Sequence, residues 1–471
     1  MKKFTACALS VCMVAATLVG CEPGGQNQNA NPNPDPDPNP VVNPDPAPAP
    51  AEGGVIELYS FTDEVPTIVN HYIETHPDFG YTVNVTIKSS DEGAYQPALD
   101  MALPDSKNAP DIYTAESAFV LKYTQGDMSE YALPYKDLGI DVDAAIKAAD
   151  IASYTIDIGT NTNGDLVGLG YQATGGAFIY RRSIAIDTWG TDDPATVKEK
   201  IGGGSGNWDK FWAAAEDLKG KGYAIVSGDG DIWHAVENSS DKGWIVDGKL
   251  YIDPKREAFM DISKKLVDNK YHNDTTDWTE GWFADMNANG TAFGFFGPAW
   301  LINYTIGQNC GTEEDGNSSF GDWAVCESPI GFFWGGTWII ASKYVPERGK
   351  TDAVKAIIEY ITLDATADGL QAGWANGDLY GAGGTKDTVA SGVVMSTANG
   401  EVEFLGGQNM FDVFVPANAA ANGANLTQYD ATINGYFREA VKNYAHGDSS
   451  YEDAIEFFKT QVKENLDVVV E

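Results

Sequence analysis

The stretch from Val55 to Glu116 alternates between strand and helix patterns, and this alternation restricts the fold more than any other feature of the 471 residues. VIELYSF (55–61) reads as a strand, EVPTIVNHYIETHP as a helix and YTVNVTIK (81–88) as a second strand. YQPALDMAL is helical, and PDIYTAE (110–116) is a short third strand with its exit loop. Strands joined through helices pair in parallel and carry those helices on their faces, so the class is α/β. Ligands of such sheets gather at the carboxyl ends of the strands. That rule places Tyr59, Ser89, Asp91, Glu92, Thr114 and Glu116 on one rim. A second block follows, with strands predicted at 166–171, 176–182, 291–298 and in WAVCESP and GGTWIIAS, among several helices. No internal repeat is visible. The globular part exceeds the usual length of one domain, so two lobes are expected.

The N-terminus says where such a chain works. Lys2 and Lys3 precede the apolar run ALSVCMVAATLV (8–19), then Gly20 and Cys21. A basic start, a short apolar run and a small-residue end make an export signal, and the run is too short to span a membrane. Leu18-Val19-Gly20-Cys21 resembles the bacterial lipobox, which implies cleavage after residue 20 and a diacylglycerol on Cys21. The alternative is an ordinary secretory signal with Cys21 left in the tail. Residues 21–53 then read as a tether rich in Pro, Asn and Asp. Such composition buries no core and favours extended polyproline, reaching roughly 90 Å if fully drawn out. The expected location is the outer face of the cell membrane, held there by lipid.

A net charge of -38 argues against nucleic acid as a partner, because phosphate binding needs clustered Lys and Arg. Of five cysteines, Cys7 and Cys12 leave with the signal and Cys21 takes lipid. Cys310 and Cys326 flank a polar, turn-rich segment in an oxidising compartment, so a disulfide is expected, worth about 3 kcal/mol in the chain-entropy picture. Two buried free thiols are the alternative. No cofactor or metal is indicated, since the Asp-rich turns at 229–231 and 313–315 lack a full calcium-loop pattern.

Enzyme signatures are missing. None of the five histidines begins an HExxH, and no complete GxSxG, P-loop or GxGxxG fingerprint occurs. A pair of carboxylates for glycoside hydrolysis is always available among 68 Asp and Glu. The aromatics say more. Trp233, Trp300, Trp334, Trp338 and Trp374 each adjoin a Gly, a Pro, a loop or a helix start. Indoles flanked by carboxylates and amides suit the flat C–H faces and hydroxyls of sugars, although aromatics also dominate cores. Trp208 and Trp212, four apart on an amphipathic helix, are assigned to packing.

Several stretches, in order, resemble the solute-binding proteins of ABC importers, in the carbohydrate-binding group that includes maltose-binding protein. GLGYQATGGAFIYRRSIA (168–185) resembles the segment where the chain first crosses between lobes. FFGPAWLIN (295–303) is similar to the group's Met-Gly-Pro-Trp element, and WGGTWIIAS (334–342) to the strand of the second crossing. YAHGDSSYEDAIEFFKTQVKENL resembles the closing helical pattern. Departures are Arg181-Arg182 where Asn-Lys is usual, Ala299 between Pro298 and Trp300, and an apparent insertion at 154–165.

The resemblance implies a two-lobed, type II periplasmic-binding-protein-like fold with interlobe hinge strands. Lobe 1 would hold 54–171 plus about 335–391, and lobe 2 about 172–334 plus 392–471. It implies a non-enzymatic monomer that captures an oligosaccharide and delivers it to ABC permease subunits. Trp300 would stack on a sugar ring. Gly335, Gly336 and Thr337 would offer backbone amides, and Trp338 would face the cleft or support it. Trp233 and His234 would meet the ligand from lobe 2, with Trp374, Tyr171 and Gln172 nearby. Asp91, Glu92 and Glu116 would accept hydroxyls from lobe 1. Other readings are a binder of a peptide, an amino sugar or another small polar solute, a surface glycoside hydrolase or lyase, and a glycan-binding adhesin.

Overall fold

The computed structural model describes residues 53–90, 93–379 and 385–471. Five strands form the first sheet: β1 (Gly54–Ser60), β2 (Tyr81–Ile87), β3 (Ile112–Glu116), β4 (Gly168–Gly170) and, from far along the chain, Thr337–Ala341. The second sheet contains β5 (Ala177–Arg181), β6 (Ala224–Val226), Ala292–Gly297 and Trp323–Cys326. A small hairpin, β7 (Ile245–Val246) and β8 (Lys249–Leu250), lies apart, so Ala292–Gly297, Trp323–Cys326 and Thr337–Ala341 are β9, β10 and β11.

The first sheet runs β2-β1-β3-β11-β4. β1 pairs in parallel with β2 and β3, as the βαβαβ pattern requires, and β11 is antiparallel to β3 and β4. The second runs β10-β5-β9-β6, with only the β6–β9 pair parallel. Sheets covered by helices on both faces need strands apolar all along, and β5, β9, β10 and β11 are buried at every residue. In β11, Trp338 and Ile340 enter one core and Ile339 and Ala341 the other, the alternation expected of a strand.

Asp111 pins β3 in place. Its carboxylate is fully buried, takes Arg348 at 2.7 Å and Lys350 at 2.6 Å, and accepts the Glu57 amide at 2.8 Å. The apparent insertion is structural: the helix Ser153–Gly159 buries Tyr154 and Ile158, and the carbonyl of Thr155 accepts the Trp338 indole N–H at 3.0 Å. Residues 351–363 change helical register, running as an α-helix over Thr351–Ile358 and a π-turn over Glu359–Leu363. No helix among the described residues is long and apolar enough to cross a membrane.

The expected disulfide is not formed: Cys310 and Cys326 are both buried free thiols. The reason lies in the two-residue period of β10. Trp323 and Val325 share a core with Cys310, whereas Ala324 and Cys326 point into the core on the other face. Burial pushes the Cys326 thiol well above its ordinary range, and the Cys310 thiol donates to the Gly307 carbonyl at 3.2 Å.

Candidate functional site at the lobe crossing

Three segments cross between the sheets side by side. The first, 171–176, leaves β4 for β5. On one side, the Ala390 amide bonds to the Tyr171 carbonyl at 2.9 Å, the Ala173 amide bonds to the Thr388 carbonyl, and Gln172 pairs with Val389. On the other, the Gly176 amide donates to Phe332 at 2.9 Å, and Trp334 donates to Thr174 at 3.1 Å. The Thr174 hydroxyl bonds to the Gly335 carbonyl at 2.9 Å. Gly335 and Gly336 have φ of 77° and 111°, a region that disfavours side chains. A Cβ on Gly335 would come within 3.2 Å of Trp300 Nε1. The double glycine therefore lets the backbone lie against an indole.

That indole belongs to an aromatic group gathered around the crossing. Trp300, half-buried just after β9, donates from Nε1 to the Trp334 carbonyl at 3.1 Å, with ring centres 4.8 Å apart. Trp278 lies nearly parallel to Trp300, 6.3 Å away at 11°, and edge-on to Trp334 at 5.9 Å. Trp278 is held at φ 64°, a conformation that costs a bulky residue energy and clusters at functional sites. The His234 ring stacks on Trp334, 3.5 Å between centres and 13° from parallel.

Charges hold His234 in place. Glu237 lies 3.4 Å from one ring nitrogen and Asp277 3.6 Å from the other. Asp277 is clamped by both terminal nitrogens of Arg438, at 2.8 and 3.2 Å. Burial opposes charge on His234, but the two carboxylates outweigh it, so its pKa is raised. Burial likewise opposes charge on Asp277, yet Arg438 and His234 hold that carboxyl well below the usual range. Across from them, Glu116 at the end of β3 accepts from the Ser117 hydroxyl at 2.6 Å and the Ala118 amide at 2.8 Å. Its pKa is raised by burial, with the charge of Glu237 adding to it.

A second group lies on the lobe 1 side of the ribbon. Tyr171, fully buried, donates its hydroxyl to Glu64 at the start of the helix Glu64–Thr75, and its ring meets Trp374 edge-on at 5.8 Å. Burial raises the Asp387 carboxyl to about 7, with the Glu64 charge adding to it and the Trp374 indole acting the other way. Even so, Trp374 Nε1 and Asp387 Oδ2 complete no hydrogen bond. From lobe 2, Asn303 donates to the Lys386 carbonyl at 2.6 Å, tying the turn that follows Trp300 to the segment that carries Asp387.

The structure thus brings together Trp300, His234, Glu116, Gly335 and Gly336 in one group, and Tyr171 and Trp374 in the other, with Gln172 and Thr337 buried in the crossing segments. Two indoles go elsewhere. Trp233, expected to meet the ligand, is 1 % exposed and packs on Phe259 and Phe437, because one residue along a helix turns a side chain by about 100° and only His234 then faces the crossing. Trp338 is equally buried and supports the sheet from its core face. Asp91, Glu92 and Cys21 lie outside the described residues. Trp278, Glu64 and Asp387 were not anticipated. A cavity of about 410 Å³ opens on the outer face of lobe 1, lined by Tyr72, His76, Glu359 and Tyr360, and shares no residue with either group. Among the described residues, no three His, Cys, Asp or Glu side chains are grouped to hold a metal ion.

Two covered sheets joined by a hinge ribbon, with aromatic and polar side chains converging on it, define a two-lobed solute-binding protein. Residues 68–399 match the family model described as bacterial extracellular solute-binding protein, and the chain belongs to that family. Solved structures agree on the fold. A crystal structure titled extracellular solute-binding protein family 1 superposes with a TM-score of 0.69 at 17% identity, covering 87% of this chain and 99% of the other. The galacto-N-biose/lacto-N-biose I-binding protein of an ABC transporter from Bifidobacterium longum, in complex with lacto-N-biose, gives 0.64 at 16% identity, covering 88% and 98%. The sugar-binding protein MalE from Xanthomonas citri gives 0.64 at 13% identity, covering 87% and 96%. No curated protein matches the sequence.

Proposed function

We propose that this chain is a lipid-anchored binding protein that captures an oligosaccharide between its lobes and delivers it to an ABC permease without chemical change. The observation that carries the reading is the half-buried trio Trp278, Trp300 and Trp334 at the lobe crossing, with Trp278 kept in a costly backbone conformation. Indole faces held open by their own packing suit the C–H faces of a sugar ring, and His234, Glu116 and the amides of Gly335 and Gly336 supply donors and acceptors beside them. Neighbours of the same fold that bind lacto-N-biose, or are described as sugar-binding, support a carbohydrate.

In this reading lobe 1 takes 54–171 plus about 335–391 and lobe 2 the remainder, and closure is driven by a ligand that touches both. Lipid on Cys21 and the tether of residues 21–53 keep the monomer beside its transporter. The test is calorimetric titration with malto-, xylo-, manno- and galacto-oligosaccharides, with product analysis after incubation. Saturable one-to-one binding without turnover, weakened by Trp300→Ala, is the expected result. Cleavage of the sugar would replace importer with hydrolase, and silence across the panel would remove neutral carbohydrate as the ligand. A Cys21→Ser variant that stays with the membrane fraction would remove the lipid anchor.

A further inference from the structure

The solute held between the lobes has so far been given only flat faces and hydroxyls, yet Glu64 and Asp387 ask for something else. Asp387 is 2 % exposed. Its Oδ1 accepts the Thr388 amide at 2.7 Å, while its Oδ2 has no partner. Trp374 is buried beside it with Nε1 also unpartnered. This is unlike the other buried aspartates. Asp111 has Arg348 and Lys350, Asp430 has Thr427 and, at 3.8 Å, Arg256, and both oxygens of Asp231, Asp253 and Asp285 are met by donors. Glu64, the neighbouring carboxylate, has the Tyr171 hydroxyl but no ion pair among the described residues. The adjacent Lys386 turns its ammonium away, to the carbonyls of Asn399 at 2.8 Å and Glu401 at 3.2 Å.

A lone buried carboxylate is costly, and two near one another cost more, unless a cation or a proton compensates them. A ligand hydroxyl would fill the empty position on Asp387 Oδ2 but would leave both negative charges uncompensated. A cationic nitrogen would do both, and the ring of Tyr171 and the indole of Trp374 around it suit an ammonium group further. Glu64 is only half-buried, which leaves an entrance. The segment carrying Asp387 is tied to the turn after Trp300 through Asn303, whose amide donates to the Lys386 carbonyl at 2.6 Å.

We propose that the captured solute carries a protonated amine, as on an amino sugar, and that Glu64 and Asp387 receive it. The proposal rests on the interlobe capture reading above. The test titrates the full chain with glucosamine oligomers, with their N-acetylated counterparts and with cello-oligosaccharides of the same length. The amine form is expected to bind at least tenfold more tightly than either neutral form. Asp387→Asn and Glu64→Gln, which keep the shape of each side chain, are each expected to erase that preference while thermal unfolding shows the variants folded. Equal or tighter binding of the neutral oligomers, or a preference that survives both substitutions, would overturn the cation and leave oligosaccharide capture standing. No binding by any of the three series would count against capture of carbohydrate itself.

Discussion

On the lobe 2 side of the hinge ribbon, the charges beneath the indoles form a paired chain: His234 stands between Glu237 and Asp277, and Arg438 closes it. On the lobe 1 side, Glu64 and Asp387 share one hydroxyl and one amide and are without a cation among the described residues. The first region is half-buried aromatic surface on a charge-paired base, and the second is buried charge with no cation beside it. A balanced network fixes geometry before a ligand arrives, whereas an unbalanced one changes its energy when a ligand arrives. On the proposed capture reading, this pairing separates shape recognition from the free-energy difference that would drive closure.

The largest effect expected lies outside both regions and calibrates them. Trp338→Ala removes an indole 1 % exposed and hydrogen-bonded to Thr155, and should cost about 3–5 kcal/mol in denaturant unfolding. Trp300→Ala should instead act on binding, by about 2 kcal/mol or roughly thirtyfold in Kd, with unfolding nearly unchanged. If Trp300→Ala destabilises as Trp338→Ala does, the distinction between platform and core is lost.

Asp387 tests the other side through pH. Burial, with Glu64 adding to it, raises its carboxyl from an ordinary 3.8 to about 7. A raised carboxyl makes the folded state hold its proton longer than the unfolded one, so stability falls as pH climbs from about 4 to about 7. Asp387→Asn should remove part of that fall and raise the unfolding temperature of the unliganded protein by a few degrees at pH 8. A lower unfolding temperature there would show that the carboxylate is already compensated.

His234 should behave in the opposite region with a smaller effect. Its pKa is raised, so its contribution is complete below the unfolded value near 6.5 and is lost as pH rises through the folded one. Replacing it by Gln should flatten that loss in unfolding curves taken from pH 5 to 9. The smallest effect concerns the thiols: reductant should leave the unfolding temperature unchanged, and Cys310 and Cys326 should react with a thiol reagent only on unfolding. A reductant-sensitive transition would restore the disulfide.

The sequence carries the strand and helix order well because its signals are local: Ile56 and Leu58 alternate inward, and the helix Asp430–Ala445 places Ile433, Phe437, Ala440 and Val441 on one buried face. The position of Trp300 at the crossing was legible from the Gly-Pro break before it. Trp233 and His234 are adjacent in the sequence, and only the packing of their helix says which one faces the crossing. The φ of Trp278 leaves no trace in its neighbours, TTDWTE, and nothing local joins Glu64 to Asp387, which meet only through the fold. Cys310 and Cys326 misled because proximity along the chain says nothing about which face of β10 each one occupies.

The three cross-bonded segments of the ribbon have a mechanical consequence. Separate linkers would let the lobes drift and twist independently, but strips joined edge to edge resist shear and bend most easily across their width, as a leaf spring does. Opening would then follow one axis, and the face offered to a transporter would report a single variable: whether the spring is straight or bent.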